Sequence, residues 1–241
     1  QEQPTEMLWL FEGYTAYFDN LLLVRSGVIG IHTYFDLLAQ DIARYRQRPG
    51  RRHQTLAQSS YEAWTKLYNG GEDAQNSSTT YYIQGALAAW CLDTWLRVHS
   101  EDGISLPMVM HRLWHDYHQH GEGLDEARFL RLTADLLPED LEPALRGVLR
   151  RLVHSTEELP LEETAARLGL SLQMQPSAGA GDLGSDVPAA QRYQSDPGIR
   201  WQRRGEHYIV SRIDETSPAA LAGIAMDDDI IAVNGYRASE A

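Results

Sequence analysis

The chain has 241 residues, of which 34 are acidic and 21 are basic, so its formal net charge is −13. Such a negative surface repels phosphate backbones, so we expect no nucleic-acid partner. The length suits one or two domains with a substantial core. The single cysteine, Cys91, excludes an internal disulfide framework. No apolar run reaches the roughly 18–20 residues that span a bilayer, so we expect no membrane partner.

The first predicted helix covers residues 7–24, and apolar side chains fall on all of its faces. This pattern is typical of a helix buried within a domain. We expect Thr5 as its N-cap and Ser26-Gly27 as its end. Inside it, an ionised Glu12 is costly unless it meets a cation, a metal or strong hydrogen-bond donors. Glu12 is therefore a candidate metal ligand, and the alternative is a buried Glu held by an arginine or by backbone donors.

Helical patterns continue to residue 175, so residues 1–175 are predicted to form a mainly α domain. Ser77 or Ser78 is the expected cap of the longest downstream helix. Because the chain opens almost directly into a helix of the buried type, we expect that it has been cut from a larger protein. The predicted segments are 31–46, 58–68, 79–98, 107–118, 125–136, 140–153 and 161–168.

The composition changes after Gln175. Residues 176–188 are rich in Gly, Ala, Ser and Asp and contain almost no bulky apolar residue, which predicts a flexible linker. We place this linker at 176–194 and a small β-rich domain at 195–241. Strands are expected around 199–201 and 208–213, followed by a short helix at Ser217-Pro218 and a strand that ends at Asn234-Gly235.

This C-terminal segment resembles a PDZ domain. Three segments of the chain, 217–219 (SPA), 222–224 (AGI) and 229–235 (DIIAVNG), match the pattern of bacterial PDZ modules, with Asp228 where that family usually has glycine. The resemblance implies a peptide groove that includes Gly198 and Ile199, and partners that are peptide or protein termini. Since the chain ends before the second helix of such a domain, we expect about half of a PDZ fold.

The helical part resembles the glycyl aminopeptidase family of zinc metallopeptidases, whose members carry a C-terminal PDZ domain. The resemblance implies the C-terminal helical part of a thermolysin-like catalytic domain of the gluzincin type. Four matching segments follow the family's order: 8–18 (LWLFEGYTAYF), 49–52 with 58–64 (PGRR and QSSYEAW), 81–87 (YYIQGAL) and 155–160 (STEELP).

The family's chemistry requires zinc. In such enzymes an H-E-x-x-H helix supplies two ligands and the general base, and a Glu from a later helix completes the site. The resemblance implies that Glu12 is this third ligand and that Zn²⁺ is the cofactor. None of the nine histidines is directly followed by a glutamate, so the chain contains no H-E-x-x-H motif. The resemblance places that helix before Gln1, and we therefore expect the isolated chain to be inactive.

A tyrosine is the second candidate. Related aminopeptidases carry Tyr-x-Lys-Gly-Ala, in which the tyrosine hydroxyl binds the oxyanion of the tetrahedral intermediate. The resemblance implies this role for Tyr82, or for Tyr81 if the register differs by one, although Gln84 replaces the lysine. Without the family, both tyrosines are ordinary core aromatics. Gly85 would let another backbone approach closely.

One histidine cluster and one acidic cluster are weaker candidates for a metal site. His111 and His115 have an i, i+4 spacing that can chelate a metal, but a solvated helix face, which also carries His118 and His120, is the favoured interpretation. The run 227–229 resembles a calcium loop only superficially, because it lacks alternating ligands and a distal Glu.

The predicted function is removal of small N-terminal residues, Gly or Ala, by a zinc aminopeptidase with a PDZ module. The alternative is a non-catalytic PDZ scaffold with a degenerate peptidase-like domain. A third reading is an endopeptidase to which the PDZ module delivers chain termini. The sequence leaves the compartment undetermined and leaves a homo-oligomer open.

Overall fold

The computed structural model describes residues 4–69, 74–175, 184 and 196–238. Residues 4–69 and 74–175 form the helical part, which confirms the mainly α prediction. A π-helical turn spans Ala63–Leu67, and 3₁₀ turns span Pro49–Arg52 and Glu139–Leu141. The α-helices are α1 (Leu8–Arg25), α2 (Ile31–Arg46), α3 (Leu56–Tyr61), α4 (Ala74–Ser77), α5 (Ile83–His99), α6 (Leu106–His120), α7 (Glu126–Ala134), α8 (Glu142–Val153) and α9 (Leu161–Arg167).

Helices α1 and α5 cross with their backbones in direct contact. A methyl group added at Gly13 would lie 2.6 Å from the Cα atom of Gly85, and one added at Gly85 would lie 2.9 Å from the Cα atom of Gly13. Carbon atoms that are not bonded to each other need well over 3 Å, so each position accepts only glycine without a shift of the helices. The expectation that Gly85 lets another backbone approach closely is confirmed.

Aromatic and polar contacts hold this crossing in the core. Trp9 and Tyr14 of α1 and Phe129 of α7 pack edge to face, with ring centroids 5.7 to 6.0 Å apart. The buried carboxylate of Asp93 on α5 accepts hydrogen bonds from the Tyr17 hydroxyl at 2.8 Å and from the Leu106 amide at 2.6 Å. One carboxylate thus links α1, α5 and the start of α6.

The first helix differs from its prediction in two ways. Its outer face leaves Phe11, Leu22 and Leu23 45%, 60% and 38% exposed, because α2, α3 and α5 cover the other face. Burial on all faces is therefore wrong for the described residues. Thr5 lies outside the helix, where its hydroxyl accepts a hydrogen bond from the Met7 amide at 3.2 Å, and Met7 is the N-cap.

The boundaries of the helices between residues 55 and 99 also differ from their predictions. The segment predicted as one helix at 58–68 is α3, which a capping box between Thr55 and Gln58 starts, followed by the π turn. The long helix begins at Ile83, four residues later than predicted. Ser78 does not cap it, because its hydroxyl instead donates to the carbonyl of Ala74, the first residue of α4.

The β part consists of two antiparallel hairpins and a short helix. Strands β1 (Ile199–Arg204) and β2 (His207–Ile213) pair, and strands β3 (Ala232–Val233) and β4 (Tyr236–Arg237) pair around Asn234-Gly235. The φ angles of Asn234 and Gly235 are 53° and 82°, as a type I′ turn requires. Ser217 caps α10 (Pro218–Leu221).

The domain boundaries proposed from the sequence remain predictions. The predicted linker at 176–194 lies outside the described residues except for Gly184. Identity of the β part with a PDZ domain is likewise a prediction. No helix in the described ranges carries an apolar stretch that would reach across a bilayer.

We predict that Gly13→Ala and Gly85→Ala each lower the free energy of unfolding by about 2 kcal/mol or more, because the added methyl group overpacks the crossing. The measurement is urea denaturation followed by circular dichroism. Gly147→Ala is the matched control: Gly147 lies in an exposed turn of α8 with no atom within 4 Å of the added methyl group. There we expect a gain of about 0.5–1 kcal/mol. Equal effects at the three glycines would contradict the close crossing.

Candidate active site

Three tyrosine hydroxyls meet beside the α1–α5 crossing. The Tyr68 hydroxyl lies 3.1 Å from that of Tyr81 and 3.4 Å from that of Tyr82, and the rings of Tyr81 and Tyr82 are 4.6 Å apart. Tyr81 is 1% exposed, whereas Tyr82 is 36% exposed and Tyr68 is 56% exposed. The cluster therefore has one buried member and two members that face solvent.

The three tyrosine hydroxyls differ in the direction in which their pKa values are shifted. The pKa of Tyr82 is raised by its hydrogen bond to Tyr68, then by burial and by the charge of Glu12. Burial and the contact with Tyr68 raise the pKa of Tyr81. The pKa of Tyr68 is lowered, because hydrogen bonds from Tyr81 and Tyr82 would stabilise its phenolate. Tyr82 therefore keeps its proton at neutral pH and can act as a neutral donor.

Glu12 lies on α1 next to the crossing glycine and is half-buried. The backbone of its neighbour Gly13 packs against the Tyr81 carbonyl, whose oxygen would lie 2.9 Å from a Cβ atom added at Gly13. The negative charge of Glu12 makes a minor contribution that raises the pKa of both Tyr68 and Tyr82. Within the described part of the chain, no arginine or backbone donor holds this carboxylate. The structure thus brings together the predicted metal ligand and the predicted oxyanion donor, and the role of each remains a prediction.

Tyr68 is the residue that sequence reasoning missed. It follows the π turn Ala63–Leu67, a local distortion that is frequent at functional sites. Trp64 in the same turn packs against Tyr68 with ring centroids 5.4 Å apart. Sequence patterns do not predict a π turn, although the segment 58–64 belongs to the family resemblance. That match was the available signal for a special role of this region.

The described residues contain one candidate carboxylate ligand, Glu12, but no complete set of metal ligands. No three His, Cys, Asp or Glu side chains converge in the ranges that the structure describes. His111 and His115 are exposed, with rings 4.5 Å apart, on the solvent face of α6. An unpaired, half-buried carboxylate fits one position of a zinc site. The remaining ligands would have to come from elsewhere.

Gln84 is a buried residue whose side chain is hydrogen-bonded to the segment before α5. It is 2% exposed, and its side-chain oxygen accepts a hydrogen bond from the Thr79 hydroxyl. The residue therefore has a structural role in joining the segment before α5 to the helix.

The two residues expected in a peptide groove have structural contacts. Gly198 has a φ of +79°, and a Cβ atom there would lie 2.1 Å from the Cβ atom of Ser217. Ile199 is 6% exposed in the small core with Val210, Ile213 and Ala219. These contacts explain why glycine and an apolar residue occupy the two positions. Their role in peptide binding stays a prediction.

Two other segments of the family resemblance meet in a polar cluster. The guanidinium of Arg51, which is 6% exposed, lies 2.8 Å from the carboxylate of Glu158. The Tyr45 hydroxyl donates to the same carboxylate at 3.2 Å and accepts from the Leu159 amide at 3.1 Å. These contacts fix the loop after α8 against the 3₁₀ turn Pro49–Arg52. The cluster is structural and does not extend the candidate site.

Comparison with known proteins relates this chain to aminopeptidases. The sequence model of the M61 glycyl aminopeptidase family matches residues 1–88, a range that contains Glu12, Tyr68, Tyr81 and Tyr82. No curated protein sequence matches the chain. The crystal structure of an aminopeptidase N family protein from Idiomarina loihiensis matches with a TM-score of 0.85 and 31% identity. That match covers 100% of this chain and 40% of the Idiomarina protein. The predicted resemblance to the glycyl aminopeptidase family is confirmed.

We predict that Tyr68→Phe shifts the pKa of Tyr82 downward, because the hydrogen bond that contributes most to its elevation is lost. The measurement is a pH titration of the tyrosine ¹³Cζ resonances by NMR. Tyr61→Phe, at an exposed tyrosine of α3, is the control and should leave the titration of Tyr82 unchanged. An unaltered pKa of Tyr82 in Tyr68→Phe would show that the two hydroxyls do not interact.

We predict that Glu158→Gln destabilises the fold at pH 7 by about 1 kcal/mol, because the buried Arg51 loses its counter-charge while the half-exposed carboxylate is partly screened. Burial acts to raise the pKa of Glu158, but Arg51 outweighs it and the net pKa is lowered. The carboxylate therefore stabilises the fold above the pKa of the unfolded chain, about 4.3, and this contribution disappears as the pH falls through the lower folded pKa.

The test compares denaturation of the wild type and Glu158→Gln between pH 3 and pH 7. Glu142→Gln is the matched control, since Glu142 pairs with Arg146 on the exposed face of α8. Its effect should stay below about 0.5 kcal/mol. A Glu158→Gln penalty that persists at pH 3 would contradict the ionic origin.

Proposed function

We propose that the chain forms part of a zinc aminopeptidase that removes small N-terminal residues, Gly or Ala, from peptides. The observation that carries this proposal is the unpaired, half-buried carboxylate of Glu12 beside the solvent-facing, protonated hydroxyl of Tyr82. Both residues lie within the segment that matches the glycyl aminopeptidase family. The chain spans 40% of the length of its structural relative, so the activity belongs to an assembly that includes further residues.

Glu12 would hold the metal as one carboxylate ligand. The charge of this carboxylate is not neutralised by an ion pair in the described part of the chain, so it is available to a cation. When bound, zinc polarises the scissile carbonyl and lowers the pKa of its water molecule. Two further ligands and a general base would come from an H-E-x-x-H helix, which this sequence does not contain.

Tyr82 would donate a hydrogen bond to the oxyanion of the tetrahedral intermediate. Its exposure favours it over Tyr81, which is almost fully buried. Tyr68 would orient the Tyr82 hydroxyl through their contact at 3.4 Å. A neutral donor that is fixed before the reaction stabilises developing charge without reorganisation, which is the largest contribution in many acyl-transfer sites.

The β part would act as a peptide-binding module of the PDZ type. Support comes from its motif and from the order of its strands and short helix. In this proposal the module takes peptide or protein termini as partners. Gly198 and Ile199, the expected groove residues, also have structural roles in this part of the chain.

We predict that Tyr82→Phe lowers kcat about 10²–10³-fold while zinc content and fold are retained, because one oxyanion donor is lost. The measurement uses hydrolysis of glycyl and alanyl substrates by a natural polypeptide in which this chain follows an H-E-x-x-H helix. Tyr81→Phe is the matched control and should keep most of the activity. A normal kcat for Tyr82→Phe would remove this residue from the mechanism.

In the same polypeptide, Glu12→Gln should lose zinc, as measured by mass spectrometry of the metal content, with its helical circular dichroism unchanged. Full zinc occupancy in Glu12→Gln would overturn the ligand assignment. Peptide binding without hydrolysis by the wild type would favour the scaffold function instead. Internal cleavage products would favour an endopeptidase.

A further inference from the structure

A cationic cleft with a volume of about 200 Å³ lies where the helical part meets the β part. Nine residues line it, of which three are arginines and none is Asp or Glu. This composition is unusual in a chain with 34 acidic and 21 basic residues. Its polar lining includes Arg44, Arg48, Thr79, Thr80, Gln84 and Arg212.

Two of the arginines have no acidic partner within the described residues. Arg48 donates from Nε to the Ser78 carbonyl at 2.8 Å, and Arg212 donates from Nη2 to the Gln47 carbonyl at 2.8 Å. Each guanidinium carries five N–H donors, so most of the donors of both groups remain available. The third, Arg44, is exposed and pairs with Asp41 at 3.2 Å.

The positive charges of Arg48 and Arg212 are both destabilised by their surroundings. Burial and then the positive charge of Arg212 lower the pKa of Arg48. Burial and the charge of Arg200 lower the pKa of Arg212, and Asp214 and Asp196 offset this only in part. Half-buried cations that repel one another are stabilised when an anion is bound between them.

We propose that this cleft binds a small oxyanion, a carboxylate or phosphate group, between Arg48 of the helical part and Arg212 of the β part. The planar guanidinium offers parallel N–H donors that match the paired oxygens of such groups. The Thr80 hydroxyl accepts from the Tyr82 amide at 3.3 Å and retains its own proton for the ligand. The Thr79 hydroxyl instead donates to Gln84, so it is not available.

A bound oxyanion would also join the two parts of the chain. Existing contacts already join them: the Asn76 side-chain amide donates to the Ile213 carbonyl at 2.9 Å, His53 contacts Glu215 at 2.8 Å, and Arg212 donates to the Gln47 carbonyl at 2.8 Å. An anion held by Arg48 and Arg212 adds a further link at the same junction. This binding needs neither zinc nor the tyrosine hydroxyls, so the 241-residue chain itself is sufficient for the test.

The test is calorimetric titration of the chain with inorganic phosphate, triglycine and triglycine amide at constant ionic strength. We expect saturable binding of phosphate or of triglycine, and weaker or no binding of the amide, which lacks the carboxylate. Arg48→Gln and Arg212→Gln should each weaken binding about tenfold or more, because a charge-assisted pair of hydrogen bonds is lost. Arg48→Lys, which keeps the charge, should fall between the wild type and Arg48→Gln.

Arg146→Gln, on the exposed face of α8, is the control and should bind as the wild type does. Circular dichroism of each variant establishes that it is folded. Binding of triglycine but not of its amide identifies a peptide carboxylate as the source of the oxyanion, whereas binding of phosphate alone identifies free phosphate. No saturable binding of any of the three probes, or binding that Arg48→Gln and Arg212→Gln leave unchanged, would overturn the proposal.

Discussion

The contact between Gly13 and Gly85 sets the distance between α1 and α5, and that distance determines what their neighbouring residues can do together. Any side chain at either position would separate the two backbones. Glu12 precedes one of these glycines, and Tyr81 and Tyr82 lie within one helical turn of the other. Because the two backbones touch, the carboxylate comes close enough for its charge to affect the Tyr82 hydroxyl. The candidate site is therefore a consequence of backbone packing.

The surroundings of the crossing keep the site rigid on one side and open on the other. Trp9, Tyr14 and Phe129 fill the core beneath the crossing, and Asp93 links α1 and α5 to α6. On the outer side Phe11 remains 45% exposed, so the carboxylate lies next to an apolar surface. Fixed helices below and an accessible face above suit a site that must hold charged groups in place.

Much of this arrangement was predictable from the sequence, and the failures have physical causes. Helices α2, α8 and α9 follow their hydrophobic periodicity closely, since one face of each is buried. The start of α5 was predicted too early, because Thr79 and Thr80 are held by side-chain hydrogen bonds that compete with a helix. The π turn that presents Tyr68 has no sequence signature of its own. Burial of Glu12 was overestimated, since the apolar pattern of α1 does not show which face has a neighbour.

The proposed peptidase function depends on Glu12 being a metal ligand that faces the Tyr82 hydroxyl. The most direct measurement is zinc-edge anomalous diffraction from crystals of a natural polypeptide that joins an H-E-x-x-H helix to this chain. We predict an anomalous peak about 2.0–2.2 Å from a carboxylate oxygen of Glu12, with the Tyr82 hydroxyl directed toward the same cavity. A zinc peak whose ligands do not include Glu12 would contradict the account.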